Sequence, residues 1–216
     1  MESNQIKLPA HVMVYRQLRD MILCGELAPG QAVTIQGLVN TLGAGMTPVR
    51  EAIRRLTSEG ALEFQGNRRV CVPELTTAQL DEIAYARLAI EPKLAFWAAE
   101  KVTPEDIHAL STIDQALNAS IDRGDIRGYL YQNHRFHTHL YSLSDAKIMI
   151  GLANTLWLRA APSLRVVCGR FGTANLPDMH AIALQHLRDG DVEAVAEDMR
   201  QDIRQGIEQI RETMIS

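Results

Sequence analysis

The sequence predicts a mainly α-helical fold in two parts: a small helical unit closed by a β-hairpin, and then an all-helical bundle. Three observations carry this. Apolar residues recur at helical spacing, in short segments before residue 60 and in long ones after residue 76. Strand and turn chemistry is confined to residues 61–73, around Gly66-Asn67. Charge divides near Glu74: residues 1–74 hold 8 Lys/Arg against 7 Asp/Glu, whereas residues 75–216 hold 14 against 19. The expected parts are therefore residues 1–74 and 75–216.

In the first part, residues 11–24 place Tyr15, Leu18 and Ile22 on one helical face. Gly25 ends that helix, and Leu27-Ala28-Pro29-Gly30 is turn chemistry. A second helix follows Thr34, with Ile35, Leu38, Val39 and Leu42 apolar, and Gly43-Ala44-Gly45 makes a tight turn. A third helix is expected from about Thr47 to Glu59, with Pro48 in its first turn, where a missing N–H costs nothing. Val49, Ala52, Ile53 and Leu56 form its buried stripe. Thr47, Arg50, Glu51, Arg54 and Ser58 face away, and Glu51 and Arg55 are spaced for an i,i+4 ion pair. Ala61–Gln65 and Arg68–Pro73 then flank a turn as two short strands.

Helix, helix, tight turn, helix and hairpin together describe a winged helix-turn-helix, whose third helix reads the major groove of double-stranded DNA. The expected DNA contacts are Gln36, Thr47, Pro48, Arg50 and Arg54, with Asn67, Arg68 and Arg69 at the wing. Arg50 is the principal one, because a guanidinium can bond bidentately to guanine.

The second part carries no strand signals. Amphipathic helices are expected at roughly 77–100, 103–121, 126–143, 145–168, 176–188 and 191–213, the first kinked or split at Pro92. No segment approaches the roughly 20 apolar residues of a membrane span. The N-terminus lacks the layout of a signal peptide. Cys24, Cys71 and Cys168 are too far apart for a metal-spaced pair, so a reducing cytoplasm is expected.

Polar residues that interrupt the apolar stripes of this half are the candidate site. Arg87 lies in line with Ile83, Ile90 and Leu94. Asn133 and His137 share a face with Leu130, Phe136 and Leu140. His180 falls among Leu176, Leu184 and Leu187, and Asp202 among Val195, Met199 and Ile210. Two imidazoles, a carboxylate and an amide oxygen on separate helices suit a divalent ion, Zn, Ni, Mn or Fe. The buried Arg87 fork suits a small carboxylate opposite it, although an Arg87–Asp202 ion pair closing the bundle is the plainer alternative. His134, His139 and His186 fall off these stripes and are expected at the surface or behind the site.

The run Gly25-Glu26-Leu27-Ala28-Pro29-Gly30, with Thr47-Pro48-Val49-Arg50-Glu51-Ala52-Ile53-Arg54-Arg55-Leu56 and Glu59-Gly60, resembles the GntR family of bacterial regulators. The second half resembles the FCD ligand-binding domain of that family's FadR-like branch. This likeness rests on Arg87 to Glu91, Phe136-His137, His180-Ala181-Ile182 and Gly190-Asp191. The resemblance implies a homodimer on a palindromic operator, acting as a repressor released by a small metabolite. It also implies a metal site of one Asp and three His, onto which His137 and His180 map directly. Asn133 stands at the Asp position and Asp202 at the last His, an exchange that keeps the ligand charge at −1. Gly45, Met46 and Gln36 replace expected DNA-contact residues, so the operator is expected to differ from the family's common type. A regulator in which the ion itself is the effector stays open. So does a metal-dependent enzyme built on His137, His180 and Asp202, which resemble a two-His, one-carboxylate facial set.

Overall fold

A computed structural model describes residues 9–66, 69–170 and 177–215 of the chain. The first part contains α1 (Ala10–Leu23), β1 (Val33–Thr34), α2 (Ile35–Leu42), α3 (Met46–Ser58), β2 (Glu63–Phe64) and β3 (Arg69–Cys71). The strands form one antiparallel sheet in the order β1-β3-β2, with Val33 opposite Val70 and Glu63 opposite Cys71. The hairpin is thus present as expected, with a third strand added. Thr34 serves twice: it pairs with Arg69 in the sheet, and its hydroxyl accepts from the Gly37 N–H to start α2. Gly43, at φ +58°, ends α2 in the left-handed conformation that glycine adopts without penalty.

Arg55 does not pair with Glu51. It bonds Glu59 at 3.0 Å and lies over the Tyr15 ring, 3.7 Å from its centroid. The Tyr15 hydroxyl donates to the same carboxylate at 2.8 Å, so Glu59 is held from two helices and outcompetes Glu51.

Among the described residues the elements of the second part are all helices: α4 (Thr77–Ala99), α5 (Pro104–Asp122), α6 (Ile126–Ser142), α7 (Lys147–Arg170), α8 (Met179–Asp189) and α9 (Val192–Ile215). Reciprocal capping boxes start two of them, Thr76 with Gln79 on α4 and Thr103 with Asp106 on α5. Asp125 and Asp178 cap α6 and α8. The break expected at Pro92 does not split α4, which runs unbroken through that buried proline. Removing one N–H costs a single hydrogen bond, and Glu91, Leu94 and Ala95 are buried around that turn.

Among the described residues, apolar side chains gather in two clusters. One lies among α4, α5, α6, α8 and α9, around Leu94, Leu110, Phe136, Leu140, Leu184 and Met199. The other is continuous across the two parts: Leu18, Ile22, Ile53 and Leu56 of the winged unit belong to the same cluster as Trp157, Leu164 and Ile203. Polar contacts follow the same seam. Arg127 of α6 bonds Glu26 at 2.7 Å, Arg159 of α7 donates to the Glu59 carbonyl at 3.2 Å, and Arg165 donates to the Gly25 carbonyl. Helix α7 therefore touches the C-terminal ends of both α1 and α3.

Candidate cation and effector pocket

Helices α4, α5, α6, α7, α8 and α9 line a pocket of about 240 Å³, bordered among others by Arg87, Asn133, Trp157, His180, Asp202 and Ile203. On α6 the four-residue spacing stacks Asn133, His137 and Tyr141 along one buried face. His180 enters from the first turn of α8, its ring stacked on Phe136 with centroids 3.9 Å apart. Asp202 arrives from α9.

Three of the four expected ligands converge. His137 Nε2 lies 3.1 Å from Asp202 Oδ2 and 3.3 Å from His180 Nε2, and His180 Nε2 lies 3.8 Å from Asp202 Oδ1. Ligand atoms of all three fall within 4.8 Å of one another. Asn133 is buried and lines the same pocket. Behind His180, Asp114 of α5 approaches Nδ1 at 3.6 Å, and its Oδ1 is buried without a hydrogen-bond partner among the described residues.

Arg87 is where expectation and structure part. It forms neither a free clamp nor a pair with Asp202. Its Nε and Nη2 bond Glu91 at 2.5 and 3.1 Å, one helical turn along α4. Glu91 Oε2 also accepts from the Tyr141 hydroxyl at 2.8 Å and from Trp157 Nε1 at 3.1 Å. The guanidinium lies 4.4 Å from the Trp157 ring centroid. Its Nη1 makes no hydrogen bond among the described residues, and Arg87 lines the pocket.

Carboxylates gather on this side of the pocket: Glu91 pairs with Arg87, while Asp114 and Asp202 approach His180. Burial raises the cost of the Asp202 charge, but His137, His180 and Arg87 outweigh it and hold the carboxyl at a pKa of about 2. Burial lowers the pKa of His137. Burial also opposes protonation of His180, yet Asp114 and Asp202 together carry it above its ordinary value. Two imidazole nitrogens and a hard oxygen form a donor set suited to zinc or a neighbouring transition metal. The residues present fit such an ion. Bound there by His137, His180 and Asp202, with Asn133 adjacent, it would act as a Lewis acid for an anionic ligand.

The histidines expected outside the site divide. His134 lies behind the site: its ring meets Trp157 edge-on at 5.3 Å, and burial drives its pKa to about 3. His139 has a buried Nε2 with no hydrogen-bond partner among the described residues. His186 is half-exposed and bonds Asp198 at 2.7 Å. Sequence reasoning missed Asp114, Glu91 and Tyr141. Asp114 interrupts the stripe Leu110, Ile113 and Leu117 as the others interrupt theirs, while Glu91 and Tyr141 stand four residues beyond Arg87 and His137.

On the DNA-facing side, Thr47, Arg50 and Arg54 are exposed along α3, with Pro48 half-buried in its first turn. Gln36 is exposed on α2 and bonds Asn40 at 3.1 Å. Arg69 is exposed on β3, and Asn67 and Arg68 lie outside the described residues. Gly45 caps α3 without a side-chain hydrogen bond.

Two family models match the chain. Residues 11–72 match bacterial regulatory proteins of the gntR family, and residues 82–205 match the FCD domain. Among curated proteins, the chain is 31% identical over 165 residues to the HTH-type transcriptional regulator McbR of Escherichia coli K12, covering 76% of this chain and 75% of McbR. It is 26% identical over 213 residues to the transcriptional repressor RspR of the same organism, covering 94% and 91%. The solved structure of E. coli McbR/YncC superposes with a TM-score of 0.89 at 27% identity, covering 96% of this chain and all of that one. A GntR regulator from Rhodococcus sp. RHA1 shares the fold, at 20% identity and a TM-score of 0.75. Both E. coli relatives are transcriptional regulators, and no helix among the described residues is long and apolar enough to cross a membrane. With its winged reader joined to a helical pocket, the chain belongs to the GntR family of DNA-binding bacterial transcriptional regulators, in the branch that carries an FCD domain.

Proposed function

We propose that this regulator is a homodimeric repressor whose hold on a palindromic operator is controlled by a small carboxylate, taken up in the FCD pocket beside a divalent cation. The observation that carries the reading is the convergence of His137, His180 and Asp202, of which His180 and Asp202 line the same cavity as Arg87. A carboxylate held between cation and guanidinium would satisfy both. The name of RspR supports a repressor role. Exposed Tyr85 on α4, with Ile148 and Leu152 on α7, supports a second copy packing on the helical half. Helix α7 supports a route for control, since it carries Trp157 at the pocket and Arg159 at the end of α3.

Thermal-shift measurements on metal-free protein test the reading. Zn²⁺, Ni²⁺ or Mn²⁺ should raise the melting temperature of the wild type and leave His180→Ala unmoved. Citrate or acetate should add a further shift only when the cation is present. A response confined to neutral or cationic compounds would sink the carboxylate reading, and no response to any cation would sink the metal. The paired Arg87–Glu91 charges favour one second reading, in which the ion alone is the effector. DNA affinity that changes with Zn²⁺ and not with any acid selects it.

A further inference from the structure

The buried chain Glu91–Tyr141–His137 fixes the position of a proton. Glu91 accepts four hydrogen bonds, two from Arg87, one from Trp157 and one from Tyr141. Arg and the Trp indole offer only donors, so the carboxylate is an acceptor towards all of them. Its 2.8 Å contact with the Tyr141 oxygen therefore contains the tyrosine's own proton. A phenol has one proton to give, and the same oxygen lies 3.0 Å from His137 Nδ1. That contact is a hydrogen bond only if His137 donates.

We propose that Tyr141 and Glu91 are positioning residues for the pocket: they hold His137 in the Nδ1–H tautomer and so keep the Nε2 lone pair facing His180 and Asp202. This rests on the cation reading above for its purpose, but not for its geometry. Neutral imidazole has two tautomers, and the hydrogen bond at one nitrogen decides what the other can ligate. The competing tautomer is available here, because Nε2–H could donate to Asp202 Oδ2 at 3.1 Å. In that form the nitrogen that faces His180 and Asp202 is blocked. The Tyr141 hydroxyl tips the choice, and Glu91 aims the hydroxyl. Trp157 and Arg87 aim Glu91 in turn, so the whole buried network serves one lone pair.

Long-range ¹H–¹⁵N correlation of the histidine rings in the full-length, metal-free protein tests the relay directly. The wild type should show His137 protonated at Nδ1, and Tyr141→Phe should show it protonated at Nε2. The phenylalanine keeps the ring packing, and a thermal melt confirms that the fold is retained. Calorimetric titration with Zn²⁺ should then give an affinity about 10- to 100-fold weaker in Tyr141→Phe than in the wild type. A wild-type His137 already protonated at Nε2 overturns the relay, as does a Tyr141→Phe variant with an unchanged tautomer and unchanged Zn²⁺ affinity. A wild type with the Nδ1–H tautomer that binds no Zn²⁺ supports the relay and overturns the cation reading, so the two are separable.

Discussion

Arg159 of α7 donates its Nε–H to the main-chain oxygen of Glu59, 3.2 Å away, where α3 ends. That carbonyl belongs to the negative end of the helix dipole, so the contact is charge-assisted. Gly60 follows at φ +73°, and a Cβ there would collide with the Arg159 guanidinium. Gly60→Ala therefore meets two penalties, the left-handed backbone and the loss of the arginine's seat. We expect it to destabilise the protein by about 1–2 kcal/mol. Hydrogen exchange should also speed up in the last turn of α3. Gly43→Ala, at φ +58° with nothing near its added carbon, supplies the backbone penalty alone as the control.

Arg50 is exposed on α3 and makes no ion pair among the described residues, so truncating it should spare the fold. Arg50→Ala should lose about 1–3 kcal/mol of preference for the operator over unrelated DNA, if it reads a guanine. Fluorescence anisotropy with the operator and with a scrambled duplex measures this. Equal losses on both duplexes would reassign Arg50 to a phosphate contact.

Arg87 now carries a stability prediction that its ligand role alone would not give. Arg87→Met leaves Glu91 buried with Tyr141 and Trp157 but without its cation. Breaking a buried pair from one side typically costs about 3–5 kcal/mol. Urea melts should show a loss of that order in the absence of any ligand. A loss below about 1 kcal/mol, typical of an exposed pair, would mean that solvent reaches Glu91.

His186 and Asp198 tie α8 to α9 through a 2.7 Å contact, and the hydrogen bond that His186 donates to Asp198 raises the histidine's pKa. A group whose folded pKa is raised binds its proton more tightly in the native state. Its stabilising contribution is complete below the unfolded value of about 6.5 and fades as pH rises through the folded one. The stability gap between wild type and His186→Gln should therefore be largest in mildly acidic buffer and shrink toward pH 8. A gap independent of pH would mean that the two residues interact without the charge.

Much of the fold was legible because helical periodicity and caps agree. Thr76 with Gln79, Thr103 with Pro104, and Gly190 all mark ends that the apolar spacing also marks. The exception was β1: Val33–Thr34 is two residues long and exists through pairing with Val70 and Arg69, which no local pattern announces. In the site, His137, His180 and Asp202 were visible as polar breaks in apolar stripes. Glu91 was not, because a carboxylate four residues from an arginine looks the same on a solvated helix face as in a core. Its burial is decided by Trp157 and Tyr141, 66 and 50 residues away. Arg159 and Arg165 were invisible for the opposite reason, since an arginine on a helix surface shows no sign of the carbonyl it will meet.

The apolar cluster that joins Leu18 and Leu56 to Trp157 and Leu164 bears on how such a protein can be recombined. Reader and sensor have separate family signatures, which invites exchanging one half for another like interchangeable parts. Here the two share an interior. A junction cut at Glu74 and spliced to a foreign reader would set unmatched side chains against α7 and leave Arg159 and Arg165 without their carbonyls. A working chimera of this regulator would have to carry α7's contact face along with the reader it serves.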